Sequence, residues 1–285
     1  AIDALRIESA KLEDQGNLAA GYQLGYRLAI LVGSSLALIL AENTSWSYVY
    51  QSMSIFMALN IVLCILTSYE NENIILKKLS LEETVSAPLE DFFGRFGTQM
   101  ACILLLIVAT YRLTDIVMGP MANPFYLDMG YTLSEIGAVI KVVGLIFAMA
   151  GVFVGGIFIK KIGLYKSLLI GAIFVMCTNL CFSYASVNDK SLFLLASIVG
   201  ADSFAAGIVG TVNIAFLTSL VSKKYTGFQY ALLTSLMAII GKFFGGFSGV
   251  LVENLQSLYG FNYGWMSFYI FTSLLAIPAI LMIYF

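Results

Sequence analysis

Long apolar runs alternate with short polar segments along the whole chain. Each run is long enough to cross the hydrocarbon core of a bilayer, which takes roughly 20 residues of helix. The pattern therefore predicts an all-α integral membrane protein with about eight transmembrane helices. The predicted spans are residues 17–41, 46–69, 98–126, 133–159, 165–186, 191–221, 227–251 and 262–285.

The longest polar segment, residues 70–97, follows the second span. Leucine and phenylalanine are interleaved with charged residues there, which is typical of an amphipathic helix lying partly on the membrane surface. We interpret this segment as a cytoplasmic linker. Residues 1–69, before the linker, are predicted to form two spans at the end of an N-terminal helical half. Residues 98–285, after the linker, are predicted to form a C-terminal half of six helices.

Composition supports the membrane assignment and excludes several classes of function. The chain is 60% apolar and 11% charged, whereas soluble domains are about 45–50% apolar and about 25% charged. It contains no histidine, which removes histidine-based metal sites and serine–histidine catalysis. No basic tract indicates nucleic-acid binding, and we expect neither a metal nor a cofactor. The four cysteines lie in apolar runs, so we expect them to pack in the core.

The basic residues predict an orientation in the membrane. Alternate loops place ten of them on one side and only Lys190 on the other. Because lysine and arginine accumulate in cytoplasmic loops, we expect both termini in the cytoplasm and the lipid bilayer around the spans. The ten residues are Arg6, Lys11, Lys77, Lys78, Arg95, Lys160, Lys161, Lys166, Lys223 and Lys224.

Six charged residues lie well inside the predicted spans. Each costs on the order of 3 kcal/mol at a helix centre on insertion scales, so these groups should face one another or a polar cavity. One interpretation is structural pairing across the bundle. The other, which we favour, is a shared polar pathway for transport. The six residues are Arg27, Arg112, Asp115, Lys141, Asp202 and Lys242.

The span at residues 98–126 combines several features that suit a polar cavity. Arg112 and Asp115 are three residues apart and therefore share a helix face. Pro120 and Pro124 follow them and break backbone hydrogen bonds in the outer third of the span. A helix that faces only lipid gains nothing from these residues, so we expect this span to line the pathway.

The balance of the intramembrane charges favours an anionic substrate and a coupling proton. Four cations accompany two carboxylates, so a substrate anion would supply the missing negative charge. An aspartate in an apolar site favours its protonated form, and Asp202 has no cation near it in sequence. We expect Asp202 to bind the proton, with Asp115 as the second candidate. Asn213 and Gln229 either hydrogen-bond the substrate or join helices to one another.

Two rows of small residues predict close contacts between helices. Gly151 and Gly155 form the first row, and Gly241, Gly245 and Gly249 form the second. Glycines at four-residue spacing allow two backbones to approach closely within a membrane. We expect a structural role for both rows.

Residues 151–166, between the fourth and fifth spans, combine glycine with lysine. Gly156, Lys160, Lys161, Gly163 and Lys166 resemble a cytoplasmic loop signature of the major facilitator superfamily. In that signature the glycines let helix ends approach, and the cations meet helix C-termini. Lys160 replaces an acidic residue that is often found there. The resemblance implies a cytoplasmic gating loop.

A wider resemblance covers almost the whole chain. It is similar to the muropeptide permease (AmpG) family of the same superfamily, which has twelve core helices in two halves. The resemblance implies that this chain covers core helices five to twelve and not the first four. The matching segments are AIDALRIE (1–8), LGYRLAILV (24–32), APLEDFFGR (87–95), YRLTDIV (111–117) and GKFFGG (241–246).

The resemblance also implies roles for individual residues. Asp3 would belong to an aspartate motif near the inner end of the fourth core helix. Arg27, Asp115 and Lys141 would fall at polar intramembrane positions of the family, and Asp202 at a position where an acidic residue is usual.

The expected function is that of a proton symporter in the bacterial inner membrane, not of an enzyme. Its substrates would be anhydro-muropeptides, imported for peptidoglycan recycling, and a separate chain that supplies the missing helices is a further candidate partner. Alternatives are a transporter of another anionic metabolite such as an acyl-coenzyme A, and a non-transporting fragment of a permease. A last alternative is an intramembrane aspartyl protease built on Asp115 and Asp202, although VGAD at 199–202 lacks the first glycine of the motif typical of such enzymes.

Overall fold

The computed structural model describes residues 2–8, 14–30, 32–33, 37, 40, 44–66 and 81–285. These residues form helices joined by short turns, and none of them lies in a β-strand. A π-helical turn, Ile140–Gly144, follows the helix Leu133–Val139 and precedes the helix Leu145–Ile162. The helices are α1 (Ile2–Glu8), α2 (Gln15–Ile30), α3 (Trp46–Leu66), α4 (Leu81–Phe96), α5 (Thr98–Thr110), α6 (Leu113–Asp128), α7 (Leu133–Val139), α8 (Leu145–Ile162), α9 (Leu164–Ala185), α10 (Leu192–Leu220), α11 (Thr226–Gly245), α12 (Ser248–Tyr259), α13 (Phe261–Leu274) and α14 (Ile277–Tyr284).

Seven helical segments within the described residues are long and apolar enough to cross a membrane. They match seven of the eight predicted spans, and the predicted all-α membrane fold is confirmed. The eighth, residues 17–41, begins in α2, but several residues of its second half lie outside the described ones. The seven segments are Trp46–Leu66, Thr98–Asp128, Leu133–Ile162, Leu164–Ala185, Leu192–Leu220, Thr226–Tyr259 and Phe261–Tyr284.

The chain divides into two compact units. Residues 1–23 and 86–285 form the first unit, and residues 24–85 form the second. The second unit contains α3, whose one buried residue is Val49. The predicted division at a linker of residues 70–97 stays a prediction, because residues 67–80 lie outside the described part of the chain.

The first unit buries two apolar clusters along α10. One cluster surrounds Phe216 and contains residues of α5, α9 and α11. The other is rich in aromatic rings and surrounds Phe125 and Tyr269, with residues of α6, α9 and α13. These two clusters hold the helices at the two ends of α10.

Both glycine rows pack helices closely, as predicted. A Cβ atom on Gly151 would overlap the carbonyl oxygen of Phe204, and one on Gly155 would lie 3.1 Å from Cβ of Thr211, so α8 and α10 are in backbone contact. A Cβ on Gly245 would lie 2.9 Å from the carbonyl oxygen of Ile116 in α6. Because lipid tails provide no hydrophobic drive for helix association, such van der Waals contact is a main source of cohesion.

The interruption in the span 98–128 lies earlier than the prolines suggested. Pro120 and Pro124 are both inside the continuous helix α6. The chain leaves helical geometry at Arg112, which has φ −103° and ψ 7°, whereas Tyr111 before it keeps helical angles. The helix continues through each proline, because a proline removes only one backbone hydrogen bond. At Arg112, by contrast, the helix is interrupted, and this turn separates α5 from α6.

The predicted amphipathic helix is confirmed as α4, and its apolar face packs against protein. Pro88 and Phe92 are buried, and Phe92 belongs to the cluster around Phe216. A capping box begins α7, since the Glu135 amide donates to Oγ1 of Thr132 and the Thr132 amide donates to the Glu135 carboxylate.

The prediction for the cysteines was wrong. Cys64, Cys102, Cys177 and Cys181 are all exposed on helix surfaces. Their apolar sequence context reflects a lipid-facing position here, because in a membrane protein the outer surface is as apolar as the core. No cluster of potential metal ligands is found within the described ranges.

Candidate functional site

Arg112 and Asp115 form the predicted ion pair at the break between α5 and α6. Nη2 of Arg112 lies 3.5 Å from Oδ2 of Asp115, and the two side chains are 32% and 17% exposed. Asp115 lies in the first turn of α6, where the positive end of the helix dipole favours a carboxylate. The break therefore creates a favourable position for a charge in the interior of a span.

The polar atoms of this break are incompletely paired. Nε of Arg112 and Oγ1 of Thr114 are buried and have no hydrogen-bond partner among the described residues. Oδ2 of Asp115 likewise accepts no hydrogen bond there, although Arg112 lies nearby. The first turn of α6 has no side-chain cap. Unpaired buried polar groups are costly, and a discontinuous helix is a common binding site in transporters, so this arrangement suits a ligand.

Lys242 is brought close to this break by the second glycine row. The residue before it, Gly241, packs so closely on α6 that a Cβ there would lie 2.5 Å from Cδ1 of Ile116. Lys242 itself is exposed. The backbone of Lys242 thus lies beside the residue that follows Asp115.

Lys141 and Asp202 lie on segments that pack against each other. Lys141 is an exposed residue of the π-helical turn. In the same turn, a Cβ on Gly144 would lie 3.2 Å from Oγ of Ser203, the neighbour of Asp202 in α10. Single π-helical turns inside α-helices occur frequently at functional sites. The structure therefore places these two predicted residues on adjacent helices.

Asp202 interacts with two tyrosines that the sequence analysis did not select. The half-buried Asp202 lies within electrostatic reach of the phenol groups of Tyr126 in α6 and Tyr269 in α13. Both tyrosines are buried, with 4% and 0% of their surface exposed. Tyr269 lies inside the predicted span 262–285, away from the interfacial belts where tyrosine is usual, and this was its sequence signal. Tyr126 is the last residue of the predicted span 98–126 and gave no such signal.

Gln229 lies in a saturated hydrogen-bond network on the linker helix. Its Nε2 donates to the Pro88 carbonyl at 2.8 Å and to Oδ2 of Asp91 at 3.0 Å. Its Oε1 accepts from Nη2 of Arg95 at 3.1 Å and from the Ser222 amide at 2.7 Å. Of the two roles expected for Gln229, these contacts favour joining helices.

Asn213 is buried in α10 beside α11. Its Nδ2 lies 3.5 Å from Sδ of Met237, a weak contact, and its Oδ1 has no hydrogen-bond partner in the described part of the chain. The structure therefore leaves both of its expected roles open. Arg27 is half-buried in α2 and belongs to the second unit.

Asp3 lies beside Arg6, which the sequence analysis had counted only as a surface cation. Nη2 of Arg6 lies 3.9 Å from Oδ1 of Asp3 and donates to Oγ1 of Thr218 at 3.0 Å. Arg6 is 8% exposed, and its guanidinium lies 5.4 Å and 5.7 Å from the ring centres of Tyr22 and Tyr230. The local sequence gives no signal for this burial, because α1 has only seven residues.

The predicted loop signature has the expected local geometry. Gly156 is buried, and a Cβ on it would lie 3.3 Å from Cβ of Ala20 in α2. Gly163 has φ +86° and joins α8 directly to α9, a conformation that favours glycine. The three lysines, Lys160, Lys161 and Lys166, are exposed. The gating role of this loop stays a prediction.

Comparison with known proteins identifies the family. Residues 1–246 match the family model described as Major Facilitator Superfamily. The chain belongs to the Major Facilitator Superfamily. This membership and its permease relatives place the chain among transporters rather than enzymes, which leaves the aspartyl protease alternative without support.

Within the Major Facilitator Superfamily, the resemblance to the AmpG family is confirmed by named relatives. The chain is 32% identical over 288 residues to transporter AmpG 4 of Rickettsia felis, an alignment covering 98% of this chain and 66% of that protein. It is 31% identical over 283 residues to the anhydromuropeptide permease of Escherichia coli K12, covering 99% of this chain and 55% of that protein. The chain thus spans between about half and two thirds of the length of these curated relatives.

Proposed function

We propose that this chain is part of a proton symporter that imports anhydro-muropeptides across the bacterial inner membrane for peptidoglycan recycling. The observation that carries the proposal is the helix break at Arg112, where an ion pair and its neighbours retain unused hydrogen-bonding capacity inside a span. The name of the Escherichia coli relative, anhydromuropeptide permease, supports the choice of substrate.

The intramembrane charges receive specific roles in this proposal. Arg27, Arg112, Lys141 and Lys242 bind the lactyl or peptide carboxylates of the substrate, because guanidinium and ammonium groups are the natural partners of carboxylates. Asp202 binds the coupling proton, with Asp115 as the second candidate. The excess of cations equally suits another anionic metabolite such as an acyl-coenzyme A, which therefore serves as the competing substrate in the test.

The proposal includes an orientation and a partner. Arg95 of α4, Lys160 and Lys161 of α8 and the neighbouring pair Lys223 and Lys224 would lie on the cytoplasmic side, together with both termini. Since transport sites form between two helical halves, further helices complete the pathway, either within the reading frame that contains this chain or from a separate chain.

The test is uptake of labelled N-acetylglucosaminyl-anhydro-N-acetylmuramyl peptide by a bacterium that lacks its own permease. The full reading frame that contains this chain is expressed, with the 285-residue chain alone as a comparison. We expect accumulation that a protonophore abolishes and that excess acetyl-coenzyme A does not inhibit. Inhibition by acetyl-coenzyme A would overturn the substrate, and absence of uptake with both proteins inserted in the membrane would overturn the transport role.

The coupling role of Asp202 is tested separately. Asp202→Asn should reduce accumulation to the level measured with protonophore while exchange of labelled for unlabelled substrate continues, because a neutral amide cannot bind and release the proton. Lys190→Gln is the control, since Lys190 forms an exposed pair with Glu135 at 2.9 Å and such pairs contribute little. Protonophore-sensitive accumulation that persists in Asp202→Asn would refute the assignment.

A further inference from the structure

Tyr269 is held in a fixed orientation by aromatic rings. Its ring centre lies 5.0 Å from that of Phe125 and 5.0 Å from that of Phe182, on which it stacks, and 6.0 Å from that of Trp265. The side chain is completely buried. Because rings on several sides prevent reorientation, the direction of its hydroxyl is set by packing rather than by a hydrogen bond.

The hydroxyl of Tyr269 has no hydrogen-bond partner within the described residues. Two other polar side chains of this aromatic cluster do have partners: Nε1 of Trp265 donates to Oδ2 of Asp128 at 2.9 Å, and the hydroxyl of Tyr131 donates to the Ser191 carbonyl at 3.0 Å. A buried hydroxyl without a partner destabilises the fold. Phenylalanine would fill the same space without that cost, so packing alone does not explain a tyrosine at this position.

The carboxylate of Asp202 is the group that can accept a hydrogen bond from this hydroxyl. Asp202 follows Ile198 and Val199, two members of the same cluster, by four and three residues on α10 and therefore shares their helix face. Its carboxyl lies within electrostatic reach of the phenols of Tyr269 and Tyr126. A small movement of α10 relative to α13 would allow a direct or water-mediated hydrogen bond. A phenol is suited to this purpose because it donates to a carboxylate while remaining neutral.

Few other ionisable groups compete for Asp202. On the elements packed around this part of α10, they are Tyr126 of α6, whose phenol is also within electrostatic reach of Asp202, Lys141 of the π-helical turn and Cys181 of α9, together with Glu135 of α7 and Asp128 of α6. Lys190 binds Glu135 at 2.9 Å and Trp265 binds Asp128 at 2.9 Å, so both carboxylates already have partners. The lysines of α8 and α9 lie at the ends of those helices that are far from Asp202, which are the last turn of α8 and the beginning of α9.

We propose that Tyr269 is a positioning residue for Asp202: its hydroxyl donates to the Asp202 carboxylate while that group is deprotonated and releases it when the carboxylate binds a proton. The incoming proton is taken from the outer aqueous side, is carried by Asp202 and is released on the cytoplasmic side, and the phenol keeps its own proton throughout. This inference rests on the proposed role of Asp202 in coupling.

The test measures uptake as a function of pH for Tyr269→Phe in the full reading frame. A hydrogen bond to the charged form favours that form, so its loss makes the carboxylate hold its proton to higher pH. We expect the midpoint of the pH profile to move upward by about one pH unit, which corresponds to a tenfold change in proton affinity. The thermal unfolding midpoint should stay the same or rise, because an unpartnered buried hydroxyl is removed.

Tyr131→Phe is the matched control. It removes a hydroxyl from the same aromatic cluster, but one that is already bonded to a backbone carbonyl. We expect a lower unfolding midpoint and an unchanged pH profile. If Tyr269→Phe gave this pattern as well, its hydroxyl would be structural and the inference would be wrong.

A combined variant separates this inference from the proposed function. In the Asp202→Asn background, adding Tyr269→Phe should leave substrate exchange unchanged at every pH, since the group that Tyr269 positions is gone. A pH shift that persists in this background would show that Tyr269 acts on another group. An unshifted profile in Tyr269→Phe, with coupling still lost in Asp202→Asn, would overturn the positioning role and leave the proton role of Asp202 intact.

Discussion

The polar network around Gln229 and the ion pair at Arg112 lie in the same apolar bundle but differ in their degree of saturation. Both oxygen acceptor positions and both amide donors of Gln229 are used by protein partners between 2.7 and 3.1 Å away. At the helix break, by contrast, Arg112 and Asp115 are 3.5 Å apart and polar atoms of both remain without hydrogen bonds.

This difference separates structural polarity from functional polarity. A saturated network has no capacity left for a ligand, and its contribution is to hold α4 against α11. An unsaturated pair costs stability in the empty protein and is retained only if something else binds there. Whether every hydrogen-bonding atom of a side chain has a protein partner therefore separates structural from functional polar residues inside the membrane. Residue type and depth alone do not make this distinction.

The largest effect is expected from Arg112→Gln. The change leaves Asp115 without its cation in the bundle interior, and removing one partner of such a pair is costly. We expect uptake to fall by a factor on the order of 100, the effect of losing about 3 kcal/mol of substrate interaction. The measurement is the initial rate of muropeptide uptake, normalised to the amount of folded protein in the membrane.

The double variant Arg112→Gln/Asp115→Asn tests the comparison directly. Neutralising both partners removes the unpaired charge, so folding should recover. Uptake should remain lost if the pair binds substrate. Recovery of both folding and uptake would show that the pair is structural, and the contrast with the Gln229 network would disappear.

Gln229→Leu should have the second-largest effect, and on stability rather than transport. It strips partners from Asp91, Arg95 and the Ser222 amide together, so we expect a loss of about 2–3 kcal/mol in the free energy of unfolding. Thermal unfolding in detergent measures this loss, with exposed Gln99→Leu as the control. Uptake per folded molecule should stay within about twofold of wild type, and a much larger loss would assign Gln229 to the pathway after all.

The smallest effect is expected from Thr218→Val, which removes the hydrogen-bond acceptor of Arg6, a side chain that is only partly hydrogen-bonded. Arg6 donates to Thr218 at 3.0 Å, but its Nε and Nη1 atoms have no partner within the described residues. Hydrogen bonds between membrane helices contribute about 0.6 kcal/mol on average, so the unfolding midpoint should fall only slightly. A loss of uptake out of proportion to this small destabilisation would move Arg6 from the structural to the functional group.

Helix positions were predictable from sequence because they depend on local apolar length. The five spans after residue 130 begin within one residue of the predicted positions, and four of them end within three residues, whereas the span predicted to end at residue 251 continues to Tyr259. The Thr132–Glu135 capping box and the Arg112–Asp115 pair follow from spacing along one helix. The cysteines were misplaced for a related reason. Apolar context does not distinguish core from lipid-facing surface in a membrane protein.

The candidate site was predictable only in part. Asp202 was identifiable as a charge inside an apolar run, but Tyr126 and Tyr269 come from helices that are distant in sequence and meet Asp202 only in the packed bundle. Gln229 was ambiguous between a ligand contact and a helix contact until Asp91 and Arg95 were found beside it.

The sequence by itself determined the membrane class, the spans and the list of intramembrane charges, since each of these depends on composition or spacing within a single segment. It also carried the family resemblance, through motifs in several segments. Only the tertiary structure decided which polar atoms are paired. Hydrogen bonds act over about 3 Å, and the partners that saturate Gln229 or leave Tyr269 unbonded are chosen by how separate helices pack. Saturation, and with it the distinction between holding the fold and binding a ligand, is therefore a property of the packed helices.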